Sequence, residues 1–543
     1  MTFKREVGLK LFPNLQGGRM PVIDALSKHA TLTPDRIAIS IAGNEITYKT
    51  LYQRAEAFRR NLFNLEKRHP DRFGLPDDGR LVLLALPNHF RFGEIFAGGS
   101  ASPHCVAVLS VATPPNQIEE IMRRLNPDIV ICENKDCIIA EIARALDLPA
   151  LYVEKDADTQ LTYDHFLATY DHFLEGIVPN KTIADLPLGP FFIGFTSGTT
   201  GLPKAFIRNR QSWRNSLVPG REFFGLSKLH KAVVPGPMAH GVSLYALIET
   251  LDSGQTFESV RKFDLDEVLE LLKTADRFVG VPTMLNELKR RAGERKLVFK
   301  EVKQLVTGAS KFDRQHYNDA RALFPNAEIL QYYGASELSF VAVNKMTPRT
   351  LSHETSMSPV GKPFPGVKVT IRDENLSPLA PNKIGTIFVE SNLISDGYLW
   401  GDNGKSFVRN QYGATVGDLG MMDENGELYV MGRAGGMIIS GGNNIYLAEI
   451  ETALKTIRNV SEAIAFGIAN NVYGERLVSV VSFKDAALTE NELREFCRPL
   501  MEKFKIPKDF YMINHWPMTW SGKIARVIVK KMVEEGNPEV TRL

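Results

Sequence analysis

The sequence predicts a mixed α/β protein with parallel sheet in its first part, a β-rich stretch after it, and a compact α+β unit at the end. Three observations carry this. Short apolar runs alternate with helical patterns as far as about residue 333, the signature of a parallel sheet with crossover helices. From about 359 to 433 strand-like runs are separated by Gly, Pro and Asp-Glu-Asn-Gly turns, which reads as antiparallel structure resembling a small barrel. Beyond the glycine-rich MGRAGGMIISGGNN (431–444) the strand and helix patterns start afresh.

Each element has its own warrant. In TYKTLYQRAEAFRRNLFNL (47–65) Leu51, Ala55, Phe58 and Leu62 recur on one helical face. LVLLALPN (81–88) is an apolar run ended by Pro-Asn and predicts a buried strand; QIEEIMRRL (117–125) predicts a helix and DIVICE (128–133) a strand. RFVGV (277–281), QLVTGA (304–309) and AEILQYY (327–333) continue the series, and VKVTIRD, GTIFVES and GELYVMG supply the antiparallel part. In the last unit EAIAFGIA and RLVSVVSF read as strands. TENELREFCRPLMEKF opens with Thr489 and Glu492 in capping-box spacing, and places Leu493, Phe496, Cys497, Leu500, Met501 and Phe504 at amphipathic helix positions.

The totals bound the function. The 543 residues exceed one hydrophobic core and suggest roughly three to four domain-sized units. A formal net charge of +2 gives no global attraction to nucleic acid or to an anionic membrane. Cys105, Cys132, Cys137 and Cys497 suit neither a disulfide framework nor a zinc site and read as buried thiols of a reducing compartment. The N-terminus lacks a continuous apolar h-region, and no run approaches the ~18 apolar residues of a membrane helix. The expectation is a cytoplasmic protein with no nucleic-acid partner and no membrane span.

Four stretches carry chemistry. FTSGTTGLPKA (195–205) combines glycines, hydroxyls and Lys204 without the Walker spacing. Its backbone N–H groups and hydroxyls suit an anion cradle, to which Lys204 adds a point charge. QYYGASE (331–337) offers the flat face of Tyr333, the Ser336 donor and Glu337, a hard oxygen ligand suited to Mg²⁺. TVGDLGMMDENGELYVMGR (415–433) contains Asp418, able to accept from two vicinal ribose hydroxyls, and closes on Arg433. WPMTWSGKIAR (516–526) presents Lys523 beside Gly522. Each alone also fits a plain role: a surface turn, a turn-forming aspartate, a solvated lysine.

Together, in this order, the four stretches resemble the adenylate-forming superfamily: acyl-CoA synthetases, peptide-synthetase adenylation domains and beetle luciferase. PDRIAI…ITYKTLYQRA (34–55) is similar to the superfamily's early motif, so the resemblance covers nearly the whole chain. It implies doubly wound sheets in a large N-terminal domain (1–432), a hinge (433–436) at Gly436, and a mobile C-terminal lid (437–543). It implies that Thr196, Ser197, Gly198, Thr199, Thr200, Gly201 and Lys204 wrap the ATP phosphates. Tyr333 would stack on adenine, with Gly308 and Ala309 of VTGAS on the other side. Asp418 would bind the ribose, Arg433 the nucleotide, Glu337 the Mg²⁺, and Lys523 the reacting carboxylate and α-phosphate. PMAH (237–240) is similar to the motif at the acyl pocket, with His240 gating the substrate carboxylate. Ser336 stands where threonine is commoner, Gly436 where an acidic residue or lysine is usual, and Leu447 where proline is frequent.

The implied reaction is ATP-dependent activation of a carboxylic acid as an acyl-adenylate, followed by transfer to the thiol of CoA. The alternative is a stand-alone enzyme that loads an amino, aryl or fatty acid onto the phosphopantetheine of a separate carrier protein. A carboxylate attacking ATP brings an anion to a polyanion, so cations are needed and a general base is not. VPGPMAHGVSLYA (234–246) lacks the aspartate that pairs with an α-ammonium, which favours the acyl- and aryl-CoA ligases over α-amino-acid activation. SGG (440–442) resembles the pantetheine path of CoA-using members. The basic LKRRAGERK (288–296) reads either as a solvated helix face or as a surface for an acidic carrier or the CoA phosphates.

Overall fold

In the computed structural model the described residues are 22–154, 162–173, 189–196, 202–308, 312, 314–348, 359–402, 404, 406–433, 436–440, 443–470, 474–518 and 524–543. Their strands form four sheets. A nine-stranded sheet runs in the order Lys362–Pro363, Ser339–Lys345, Glu328–Ala335, Gln304–Thr307, Arg277–Gly280, Lys231–Val233, Thr256–Ser259, Ile37–Ile41, Asn44–Thr47. Its middle is parallel and its two edges antiparallel. A seven-stranded sheet has Leu81–Leu84 between Cys105–Val108 and Ile129–Cys132, all parallel, and ends in the antiparallel Pro190–Thr196, Lys204–Asn209 and Gly397–Trp400. The central strands are buried on both faces, which is why they read as unbroken Val/Ile/Leu runs.

One large apolar cluster joins these two sheets, with the helices Tyr48–Asn61 and Gly241–Asp252 packed into it. Leu51, Ala55 and Phe58 form the buried stripe of the first helix, as their spacing predicts, and the Thr47 side chain caps it by accepting from the Thr50 N–H. A cap of this kind is worth about 1 kcal/mol. The β-rich stretch is a six-stranded antiparallel sheet built from Lys368–Arg372, Gly385–Glu390, Val408–Asn410, Gly413–Thr415, Asp418–Met422 and Leu428–Arg433.

The fourth sheet begins at Met437 and includes the long hairpin Val460–Asn470 with Gly474–Phe483. Two clusters of its own pack on it, one containing Leu493 and Cys497 and the other Val529 and Met532. The capping box forms as spelled: Thr489 and Glu492 bond reciprocally. The helix it opens is shorter than its apolar spacing predicts, Glu490–Cys497, and Phe496, Leu500 and Phe504 are exposed. Pro499 has no N–H to continue the ladder, so the periodicity runs on past the helix.

The cysteines are free, three buried and Cys137 half-buried. The basic run lies on the helix Pro282–Glu294, with Leu288 and Ala292 inward; Arg290 pairs with Glu294, and Arg291 and Arg295 pair with Asp266. Among the described residues no helix is long and apolar enough to cross a membrane.

Candidate active site

The C-terminal ends of the parallel strands and the facing antiparallel hairpins bring the motifs together. Tyr333 lies near the end of Glu328–Ala335, where a β-bulge falls between Tyr333 and Gly334. Gly334 is required there: a Cβ would stand 2.2 Å from the Ser339 carbonyl oxygen. The Tyr333 hydroxyl donates to Asp418 Oδ2 at 2.5 Å. Asp418 is buried at the start of its strand, after Gly417 in a left-handed turn, and stands opposite Arg433 in the strand register.

Four residues beyond Tyr333, the buried Glu337 accepts through Oε1 from the Tyr398 hydroxyl. The Tyr398 ring lies 5.5 Å from Lys204 Nζ, which in turn donates to Ser406 Oγ at 2.5 Å. Lys204 is the strand partner of Thr196, so the hairpin holds the two ends of the glycine-rich loop side by side. Two sets of contacts, Asp418–Tyr333 and Glu337–Tyr398–Lys204, are therefore joined by the four-residue backbone step from Tyr333 to Glu337.

A buried arginine ties this chain to the scaffold. Arg208, 3 % exposed, donates to the Ser336 carbonyl at 2.5 Å and to the Leu393 carbonyl at 2.6 Å. Burial pulls its pKa down to about 10, while Glu337 and Asp396 act to raise it, so it stays charged at neutral pH. Asp396 accepts both hydrogen bonds from Asn209 Nδ2, at 2.9 and 3.0 Å. Arg208, Tyr398, Ser406 and Asp396 escaped the sequence reading. Their one signal is an arginine amid an apolar strand, KAFIRN, and their partners lie 61 to 202 residues away.

Gly308 follows the strand Gln304–Thr307, and a Cβ on it would stand 2.6 Å from the ring of Tyr332. His240 is half-buried at the N-cap of the helix Gly241–Asp252. Between this helix and the strands is a cavity of about 10 Å³, lined by Val242, Tyr245, Val306, Tyr332 and Phe340 with others. Gly436 lies between the third and fourth sheets, and a Cβ there meets nothing within 4 Å. Ser197, Gly198, Thr199, Thr200, Gly201, Ala309 and Lys523 lie outside the described residues, as does SGG beyond Ser440. The antiparallel bridge between Met518 and Ile524 brackets the segment that contains Lys523.

Glu337 offers a single carboxylate suited to a hard cation, with Oε1 accepting from Tyr398. No group of three or more His, Cys, Asp or Glu able to hold a metal occurs among the described residues. The remaining ligands of such an ion would come from phosphate oxygens and water.

The family model of AMP-binding enzymes matches residues 26–399, and that of the AMP-binding enzyme C-terminal domain matches 449–523. The chain is 31 % identical over 95 % of its length to an uncharacterized acyl–CoA ligase, YhfT, of Bacillus subtilis, covering 99 % of that protein. It is 26 % identical to a 2-succinylbenzoate–CoA ligase of Oceanobacillus iheyensis, over 92 % of this chain and 97 % of that one. Among solved structures, ATP-bound MatB from Rhodopseudomonas palustris superposes with a TM-score of 0.79 at 22 % identity, over 94 % of this chain and 99 % of that one. The chain belongs to the AMP-binding enzyme family and is an enzyme of its AMP-forming ligase class.

Proposed function

We propose that the protein joins a carboxylic acid to CoA in two steps, through an acyl-adenylate, and that it works in the cytoplasm. The observation that carries this is the pair of contacts Asp418–Tyr333 and Glu337–Tyr398–Lys204, which draws together residues suited to a ribose, an adenine ring, a cation and a phosphate. Full-length similarity to acyl–CoA ligases supports CoA as the thiol acceptor.

Each residue has a task in this reading. Tyr333 presents its ring to adenine while its hydroxyl orients Asp418, whose carboxylate accepts from the ribose hydroxyls. Thr196 to Lys204 and Arg433 offset the phosphate charge. Glu337 would hold Mg²⁺, which supplies charge neutralisation to the phosphates when bound. The acid enters past His240, its carboxylate already ionised, and Lys523 steadies it against the α-phosphate. Pyrophosphate leaves, the C-terminal unit turns about Gly436, and the CoA thiol attacks the acyl carbon with release of AMP.

The test is ATP–pyrophosphate exchange without a thiol across fatty, aryl and amino acids, followed by CoA and a phosphopantetheinylated carrier as competing acceptors. Acid-stimulated exchange with thioester formation on CoA is expected. Exchange with transfer to the carrier alone overturns CoA as acceptor. No exchange with any acid, despite ATP binding, overturns the ligase reading.

A further inference from the structure

The cavity beside His240 has an uncommon floor. On the helix Gly241–Asp252, Val242, Tyr245, Ala246 and Glu249 follow the spacing of one face and all line it. Glu249 lies seven residues, roughly 10 Å along the helix, beyond Val242. There Arg277 Nη2 donates to Glu249 Oε2 at 2.6 Å, with side-chain exposures of 1 % and 4 %. Arg277 Nε is held by Gln304 Oε1 at 3.0 Å. One polar atom on each side is left over: Arg277 Nη1 and Glu249 Oε1 are buried without a hydrogen-bond partner among the described residues. A buried donor and a buried acceptor on one ion pair are costly unless something satisfies them.

We infer that this ion pair selects the acid: the enzyme takes a short or aryl carboxylic acid whose far end carries a neutral group that both donates and accepts, a hydroxyl or carboxamide. This rests on the adenylation reading above. The sign of each partner excludes the charged alternatives. A distal carboxylate would meet the Glu249 carboxylate, and a distal ammonium the Arg277 guanidinium, each in a buried setting where like charges repel strongly. A hydroxyl or carboxamide accepts from Nη1 and donates to Oε1 at once. The walls argue for a short tail. Phe340 packs edge-on against Tyr245 and Tyr332, each at 4.9 Å between centroids, with Phe224 at 5.9 Å, so aromatic rings crowd the cavity. Gly308 lets the Tyr332 ring lie where a larger residue would displace it.

The experiment compares ATP–pyrophosphate exchange for matched acids: aryl acids bearing para hydroxyl, carboxamide, carboxylate, aminomethyl or hydrogen, together with decanoate. The wild-type kcat/KM is expected to favour the hydroxyl or carboxamide over hydrogen by roughly 10²-fold or more, since a site built to bond a polar group rejects the analogue lacking it. Glu249→Gln leaves Arg277 uncompensated and is expected to raise exchange with the carboxylate-tailed acid at least about tenfold, a gain that mere loss of structure cannot produce. Arg277→Met with Glu249→Leu removes both charges together and is expected to bring the hydroxyl and hydrogen acids within about tenfold of each other. Equal or better exchange with the unsubstituted acid or decanoate overturns this inference and leaves the ligase reading standing. So does a Glu249→Gln enzyme that stays active with no gain for the carboxylate. No exchange with any acid overturns both.

Discussion

The Tyr333 hydroxyl donates to Asp418 Oδ2 at 2.5 Å, across 85 positions of sequence, and joins the end of a parallel-sheet strand to the start of an antiparallel one. Hydrogen bonds to a charged acceptor contribute about 1.5–3 kcal/mol. Tyr333→Phe keeps the ring and loses the bond, so the KM for ATP is expected to rise roughly tenfold with little change in kcat. Asp418→Ala, which also removes the ribose acceptor, is expected to raise it further. Steady-state exchange kinetics against ATP concentration check both; an unchanged KM in Asp418→Ala would remove the aspartate from nucleotide binding.

Lys523→Ala is expected to slow adenylation by about 10²–10³-fold, the usual cost of one preorganised electrostatic contact. Thiol attack on preformed acyl-adenylate should be spared. Single-turnover measurements of the two half-reactions separate them, and near-normal adenylation would take Lys523 out of the mechanism.

Gly436→Pro tests the hinge. A Cβ at this position meets nothing within 4 Å, so the effect of proline there comes from restricted backbone rotation and not from a clash. Adenylation is expected to persist while thioester formation falls. If neither falls, the pivot lies elsewhere.

Arg208→Met leaves the Ser336 and Leu393 carbonyls without their donor. An unsatisfied buried carbonyl costs about 1–3 kcal/mol, so a lower Tm and a raised KM for ATP are expected together, because Glu337 follows Ser336 directly. Thermal unfolding with and without ATP checks this; a Tm equal to the wild type would show that the two carbonyls find other partners.

Two buried histidines set an acid limit. Burial, reinforced by Arg91 and Arg261, lowers His89 to about 4, and burial lowers His104 to about 3 against the opposing bond to the Arg59 carbonyl. Both folded values lie below the unfolded value of about 6.5. Between them the unfolded chain binds more protons, so this stability is complete above about pH 6.5 and is lost as pH falls toward 4 and 3. Glu94, raised by burial to about 7, acts in the opposite sense between about 4.5 and 7. The difference between His104→Gln and wild type in urea midpoint isolates the histidine: it should narrow from pH 7.5 to pH 5, and a constant difference would contradict it.

How much was legible in the sequence follows from what each feature depends on. Strands buried on both faces announce themselves as apolar runs, and Leu81–Leu84, Ile129–Cys132 and Gln304–Thr307 lie where those runs predict. The capping box of Thr489 and Glu492 is a contact between near neighbours and was readable as spelled. The end of that helix was not, because apolar spacing continues past Pro499 although the helix ends at Cys497. The candidates Lys204, Tyr333, Glu337, Asp418 and Arg433 were chosen by residue type and order, and of these the structure joins Tyr333 to Asp418 and Lys204 to Glu337 through Tyr398.

Local chemistry and periodicity, which act over a few residues, thus determined the strands, the helices, the family resemblance and the candidate list. Tertiary structure alone decided the partners. Tyr398 on Glu337, Ser406 on Lys204, and Arg208 across to Leu393 join segments 61 to 202 residues apart. The Glu249–Arg277 ion pair joins a helix to a strand 28 residues on. No periodicity encodes such contacts. They arise where elements distant in sequence pack together in the fold.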